Sequence, residues 1–325
     1  MKGKKILFIS CCYLFYPVSI KKELEALGAR VDLYYNEPQN ILFKLIKKIS
    51  FRLGRYLNQI YHQLILKDIK TDNYDFVFFI QVNQMNHSTV KKYKIKFPES
   101  IFILYNWDSL SKNDYSSYIS FFHFVYSFDS EDCENNAEII YRPLFYENEL
   151  EGLRNIFKNV SYNLSFVGTI VNLNRYFEIV SLRKWAIKNN LLFFDYCRTT
   201  PFVYVKLLTL GIIPQRLHFR SLDKEENYRI ISMSDTIIDI ANHKSAGYSM
   251  RSFEALGAGR KLLTFNKNIE KEDFYSPELI QTYSSILFLG NDDLEFIKNP
   301  VNFSNFKKIN IYSLRNWLID IFANR

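Results

Sequence analysis

"YDFVFFIQ", residues 74–81, sets the fold class. Five apolar residues run together from Phe76 to Ile80, with Asp75 before them and Gln81 after. The run has neither the alternation of a half-exposed strand nor the three-and-four spacing of a helix face. It fits a short parallel strand covered on both sides. Working outward, comparable runs recur at "KILFIS" (5–10), "SIFILYNWD" (100–108) and "FHFVYSFD" (122–129). "RVDLYY" (30–35) alternates, and "EIIYRPLFY" (138–146) closes the series. "SIKKELEALGA" (19–29) carries apolar residues at helical intervals and ends near Gly28. This strand–helix–strand order predicts a doubly wound α/β domain.

The second half repeats the plan. "YNLSFVGTI" (162–170) reads as a strand leading into a glycine turn, "RYFEIVSLRKWAIKNN" (175–190) as a helix and "LLFFDYC" (191–197) as a strand. Next come a helix over 222–234, a strand "DTIIDIA" (235–241), a strand "RKLLTFN" (260–266), a strand "SILFLG" (285–290) and a helix over 312–324. The polar segment 147–161 lacks strand pattern and marks the break. The expected architecture is therefore two Rossmann-like doubly wound α/β domains facing a cleft.

Composition is that of a globular protein, with 48% hydrophobic and 23% charged residues in 325. The formal net charge of +8 suits an acidic partner such as a nucleotide or phospholipid without choosing between them. Four cysteines without a C-x-x-C pair argue against a zinc site or a disulfide framework and fit a reducing compartment. No RNA-binding sheet motif occurs and most basic residues are spread, so no nucleic-acid partner is expected. No stretch has the length of a membrane span. "KILFIS" is read as a first strand rather than as a signal peptide, because no small-residue cleavage site follows it.

One segment breaks the rhythm. "ILFKLIKKISFRLGRYLNQIYHQLILK" (41–67) carries six Lys or Arg and no acid, and its apolar residues follow helical spacing. The first reading is a crossover helix whose apolar stripe packs on the sheet while its basic face is solvated. The alternative is a basic amphipathic helix lying on an anionic membrane surface. Gly54 is where such a helix would divide in two.

Chemistry concentrates in "HKSAGYSMRSFEALGAGRKLLTFN", residues 243–266, which holds three of the ten glycines. In open α/β sheets ligands collect beyond the carboxyl ends of strands. A helix starting there presents free N–H groups and a partial positive charge that suit phosphate. Ser249 is a good N-cap. Arg251 adds a planar cation for a diphosphate. Glu254 shares its helix face and can accept ribose hydroxyls. Gly247 permits a close backbone approach to a ligand. The rival reading makes Glu254 part of a capping box paired with Arg251, and Gly257 and Gly259 a helix stop.

The stretch "GYSMRSFEALGAGRKLLTFN" resembles the donor-binding segment of GT-B fold glycosyltransferases of the bacterial capsule and lipopolysaccharide type. "YNLSFVGTIVNLNR" resembles the opening of their C-terminal half, and "SFDSEDCENN" with "YRPLFY" the end of their N-terminal half. The resemblance implies an acceptor-side domain at 1–152, a nucleotide-sugar domain at 153–310 and a helix at 311–325 packing back on the first. It implies transfer of a sugar from a nucleotide-diphosphate donor to a hydroxyl of a lipid-linked oligosaccharide, at the cytoplasmic face of the membrane. Glu254 would bind the ribose, Arg251, Ser249 and the helix N-terminus would hold the diphosphate with Tyr248 in the same donor site, and Gly168 and Thr169 would line the cleft beside Gly247; His243, just before this loop, either touches phosphate or is a structural histidine. Many retaining members carry a second Glu eight residues before the first; Ala246 stands there in this chain. No cofactor beyond the donor is implied. No divalent metal is required if Arg and amides carry the phosphate charge, which agrees with the lack of a D-x-D triplet.

Asp108 ends a buried strand and is the candidate general base, or else an N-cap for the next segment. Trp107 could stack on a sugar, and Gln81 and Asn83 could hold acceptor hydroxyls. Asp129 and Asp132 bracket a turn and read as structural. Arg175 and Arg198 are lesser phosphate candidates, and Arg216, His218 and Arg220 alternate as on one face of a short strand. The same constellation without a base would serve a non-catalytic nucleotide or sugar-phosphate binding protein.

Overall fold

The computed structural model describes residues 1–70, 73–154, 161–240, 246–300 and 308–323. These fall into two compact units: 1–144 with 243–247 and 314–325, and 145–242 with 248–313. The first contains β1 (Lys5–Ser10), α1 (Tyr16–Ala26), β2 (Arg30–Tyr35), α2 (Ile41–Ile49), α3 (Phe51–Asp68) and β3 (Phe76–Ile80). It continues with α4 (His87–Lys96), β4 (Ile101–Asn106), β5 (Phe124–Ser127), α5 (Ser130–Asn135) and β6 (Ile139–Tyr141). The second contains β7 (Tyr162–Ile170), α6 (Leu173–Lys188), β8 (Phe193–Thr199), α7 (Pro201–Thr209), β9 (Leu217–His218) and α8 (Lys224–Ser232). After these come β10 (Ser234–Asp239), α9 (Met250–Gly257), β11 (Lys261–Thr264), β12 (Ile280–Thr282) and α10 (Asn291–Lys298). The last helix, α11 (Leu314–Phe322), is counted with the first unit.

Both sheets are parallel and six-stranded, in the orders β2-β1-β3-β4-β5-β6 and β12-β11-β10-β7-β8-β9. The α/β class and the doubly wound plan of each half are as the apolar runs predicted. Strand order reverses between β1 and β3 in one sheet and between β7 and β10 in the other. The crevice beyond the strand ends at such a reversal is where this architecture holds ligands.

β3 shows why the helices lie where they do. All five of its residues are buried. Val77 and Phe79 face a core with Tyr93 and Phe97 of the α4 region. On the other side Phe78 meets Phe8 at 5.1 Å and Phe322 of α11 at 5.3 Å between ring centroids. Trp317, fully buried, sits 4.7 Å from Tyr105 and donates its indole N–H to Pro143 O at 3.1 Å.

Several elements differ from the sequence expectation. Residues 285–290 form a short 3₁₀ turn, Ile286–Phe288, rather than a strand, and the outer strand is β12. The apolar run was too short to tell the two apart. β7 continues through Gly168 to Ile170, so the glycine turn expected there is absent. Helix α7 was not foreseen, and of the short strand read around Arg216–Arg220 only the two-residue β9 forms. The basic segment divides at Ser50, which ends α2 and caps α3 by accepting from Leu53 N–H. Gly54 lies inside α3, where a Cβ would come 3.0 Å from the Lys47 backbone, so it sets the close approach of the two helices and not the break.

The inner face of α3 is polar. Asn58 donates to Asn36 O at 3.1 Å and to Gln84 O at 2.6 Å. His62 is buried; its Nε2 lies 3.0 Å from Asn36 O and its Nδ1 3.0 Å from the Tyr93 hydroxyl. A carbonyl can only accept, so the neutral ring carries its proton on Nε2 and accepts from Tyr93 through Nδ1. Burial pushes the His62 pKa down from 6.5 to about 4, opposed in part by the bond to Asn36. The unfolded chain therefore binds more protons across that window. Neutral His62 contributes fully above pH 6.5, and the contribution fades as pH falls towards about 4. The shift corresponds to roughly 3 kcal/mol. Thermal melts across this pH range should show a falling midpoint, and the fall should be shallower for His62→Gln.

Candidate functional site

The second unit holds the richer set of groups. They gather at the β7/β10 reversal, beyond the strand ends. β7 ends in Thr169 and Ile170, and α6 begins just after it, with Asn172 as N-cap accepting from Arg175 N–H at 2.9 Å. Arg175 thus stands in the first turn of α6. Its guanidinium lies 5.7 Å above the Phe166 ring, and Nη2 donates to Ile240 O at 2.5 Å. Buried Nε has no hydrogen-bond partner among the described residues. Burial pushes the Arg175 pKa down, Asp239 and Glu178 pull it back up, and Arg251 adds repulsion.

β10 ends in Asp239, and the chain re-enters the unit at Tyr248 to start α9. Ser249 caps α9, accepting from Ser252 N–H at 3.4 Å, as its position predicted. The amides of Met250 and Arg251 then have no acceptor inside the helix. Arg251 in the first turn is 3.6 Å from Glu254 Oε2 and donates to Asn227 Oδ1 at 3.4 Å. Glu254, 2% exposed, also accepts from Asn227 Nδ2 at 3.4 Å. It lies five residues past the Ser249 cap and closes no capping box, while its pairing with Arg251 and the helix stop at Gly259 are as the rival reading has them. Asp239 accepts from the Ser252 hydroxyl at 3.2 Å. Arg175, Arg251, Glu254, Asp239 and Asn227 form one polar cluster with two cations and two anions.

Asp239 and Asn227 escaped the sequence reading. Asp239 had a usable signal, an acid at the end of an apolar strand just before the glycine stretch. Asn227 had none, because helix α8 has no motif to mark it. Arg198, by contrast, is an exposed residue of β8. Arg216 pairs at 3.2 Å with buried Asp195, which Arg183 also grips at 3.0 and 2.5 Å, and Arg220 chelates Glu226 at 2.7 and 2.5 Å. His218 stacks on Tyr196 at 4.2 Å. These basic side chains are engaged in ion pairs or rings away from the cluster.

The glycines answer to packing. A Cβ on Gly168 would lie 2.5 Å from the Phe166 ring, the same ring that supports Arg175. A Cβ on Gly247 would lie 2.3 Å from the Phe128 ring. The amides of Ala246 and Gly247 donate to Asp129 Oδ2 at 3.1 and 3.4 Å, so buried Asp129 fixes this backbone while its other oxygen caps α5. Gly259 has φ +66° and ends α9, as a helix stop should. Gly257 faces Tyr146, whose ring is clamped by Arg154; Arg154 also donates to Gly257 O at 2.8 Å. Tyr248 is buried against Phe253 and Phe274 and donates its hydroxyl to Glu272 at 2.8 Å. His243 lies outside the described residues.

In the first unit Asp108 follows β4 and is partly exposed. Its Oδ2 accepts from Gln81 at 2.7 Å and Asn113 at 2.6 Å, and its Oδ1 pairs with Lys112. It does not cap a helix; it gathers the loop that follows it. Gln81 holds φ +63°, an unusual conformation for a side-chain-bearing residue at a strand end. The Cys11 thiol nearby is pushed up to about 12 by burial, with Asp108 adding to the effect. Trp107 packs edge-on to Tyr13 and Tyr16 at 6.2 and 6.1 Å. Asp132 is bound by Leu110 N–H, Tyr115 and Ser127, which makes it structural. No cluster of three or more His, Cys, Asp or Glu suited to a metal occurs among the described residues.

No family model and no curated protein matches this sequence. Solved structures do. The lipopolysaccharide outer core galactosyltransferase WaaB in its apo form is similar with a TM-score of 0.56 at 15% identity, covering 99% of this chain and 100% of that one. An alpha-glucosyltransferase in complex with UDP and a mismatched DNA gives 0.57 at 12% identity, covering 97% and 94%. A UDP-N-acetylglucosamine 2-epimerase from Rickettsia bellii gives 0.56 at 12%, covering 98% and 95%. The protein has the GT-B fold, two Rossmann-like α/β units in one chain. The fold is common to enzymes that transfer sugars and to an epimerase that acts on a nucleotide sugar.

The Gly257 contact yields a direct check. A methyl at Gly257 would sit 2.3 Å from Tyr146 Cγ, so α9 or the Tyr146 ring must move. Gly257→Ala should lower unfolding free energy in urea by about 1–3 kcal/mol, although alanine has the higher helix propensity.

Proposed function

We propose that this protein is a glycosyltransferase whose nucleoside-diphosphate sugar donor binds at the β7/β10 reversal of the second unit. The observation that carries the reading is the buried Arg175 Nε, which has no hydrogen-bond partner among the described residues, at the start of α6 just beyond the end of β7. A buried guanidinium N–H without an acceptor is costly unless a ligand oxygen meets it. A diphosphate offers oxygens to two planar guanidiniums and to the first amides of α9. Glu254, held with Asn227, is the acceptor for ribose hydroxyls.

The reaction breaks the bond between the anomeric carbon and a diphosphate oxygen and forms one to the acceptor oxygen. The acceptor hydroxyl gives up its proton to a base, and the diphosphate leaves with the negative charge. Asp108 is the base in this reading. Gln81 and Asn113 orient it, and exposed Lys112 is the partner able to swing aside. Arg175 and Arg251 neutralise the leaving group, so no divalent metal is needed. The donor is a hexose nucleotide and the acceptor a lipid-linked oligosaccharide of surface polysaccharide synthesis. The likeness to a lipopolysaccharide galactosyltransferase supports that assignment. The similar epimerase favours a second reading, isomerisation of a bound nucleotide sugar without an acceptor.

Calorimetry with UDP, GDP, CMP, ADP and TDP tests the donor site. One nucleotide should bind selectively, and Arg175→Ala, Arg251→Ala and Glu254→Ala should each weaken it about 10- to 100-fold. No binding by any of the five would end the reading. Asp108→Asn should keep nucleotide affinity while abolishing acceptor-dependent sugar transfer, and transfer by the unaltered protein should survive EDTA. Conversion of the donor without acceptor would instead select the epimerase reading.

A further inference from the structure

Helix α2 and the outer side of α3 carry large apolar side chains outward, while Tyr61, Ile65 and Leu66 of α3 pack into the core. On α2 only Phe43 is buried, while Ile41, Leu42, Leu45 and Ile49 are 77%, 68%, 53% and 86% exposed. Their spacing puts these four on one side of the helix. On α3 the buried positions are Gly54, Asn58, His62 and Ile65, and Tyr56 and Leu64 are 60% and 59% exposed. The inner polar groups are bonded to Asn36, Gln84 and Tyr93, so this is the settled orientation of the helix and not a rotated one. Gly54 against Lys47 and the Lys47 pairs with Glu37 and Gln84 fix α2 on α3. A crossover helix that merely covered a sheet would show the opposite pattern. The expectation of an apolar stripe packed on the sheet is therefore corrected: for α2 and the outer side of α3 the stripe faces away.

Charge decides the occupant. Exposed Lys44, Lys48, Arg52 and Arg55 border the apolar residues, and no acid occurs from Ile41 to Lys67. Glu37, the acid just before, is already paired with Lys47. A second copy docking through the same face would set these cations against each other. An anionic lipid bilayer satisfies both features: acyl chains take the apolar side chains and headgroups take the cations. No helix among the described residues is long and apolar enough to cross a membrane, so the contact is one of lying on the surface.

We infer that the α2–α3 hairpin is a membrane-docking surface selective for anionic lipid, inserting Ile41, Leu42, Leu45 and Ile49 beneath the headgroups. The inference does not depend on the proposed reaction. Full-length protein is sedimented with vesicles of phosphatidylcholine alone or mixed with phosphatidylglycerol. It should partition onto the mixed vesicles, with binding weakened by added salt. Leu42→Ser/Ile49→Ser should lower partitioning at least tenfold, and Lys44→Glu/Lys48→Glu should remove the preference for anionic lipid. All four positions are exposed, so both variants should retain the parental urea midpoint. Equal binding of the unaltered protein to both vesicle types, or variants that bind as it does, would overturn the inference. So would concentration-dependent dimers, lost in Leu42→Ser/Ile49→Ser, in a protein that ignores vesicles; the face would then join two copies.

Discussion

Phe76–Ile80 cannot meet water on either side of its sheet, and much of the first unit follows from that. A parallel sheet has no solvated face, so each central strand needs a helical layer above and below it. One layer comes from nearby sequence, α3 and α4. The other uses α11, which places Trp317 and Phe322 against Phe78 and Tyr105. The second unit solves the same problem with nearer sequence: Leu164 and Phe166 of β7 share a core with the α6 residues Tyr176, Ile179 and Leu182. With both faces covered, only the ends of the sheets remain for chemistry. The carboxyl ends at the strand reversals collect the helix starts, and helix starts collect anions.

Continuous apolar runs made the fold legible, because a buried parallel strand has a pattern that little else produces. Weak runs misled: "SILFLG" has the residues of a strand, yet Ile286 packs as a 3₁₀ turn beside α6. The site was legible where chemistry follows local spacing. Ser249 as N-cap, Arg251 one turn from Glu254, and Gly259 as helix stop are properties of a single helix. What depended on distant partners was not legible. Asn227 joins Glu254 from α8, and the Phe166 ring reaches Arg175 only because Gly168 has no side chain.

Segment 41–67 shows a further limit. The sequence carries helical periodicity but not the direction of the helix face. Two faces of α3 compete for the interior, one apolar and one with Asn58 and His62. The polar face wins because Asn36, Gln84 and Tyr93 supply partners that the apolar face does not need. Hydrogen-bond satisfaction in the loop after β2 thus outweighs hydrophobicity along the helix.

The position of α11 ties the order of synthesis to folding. Residues 5–141 make every strand of the first sheet, yet Phe78 of β3 and Tyr105 of β4 gain their ring contacts with Trp317 and Phe322 only when α11 has been made. Once those strands exist, Phe76, Phe78 and Tyr105 still lack their α11 partners while more than half the chain is still to be made. Domains usually fold in the order they emerge; here the second unit can close before the first. The last turns of the chain thus complete a core that its first half began.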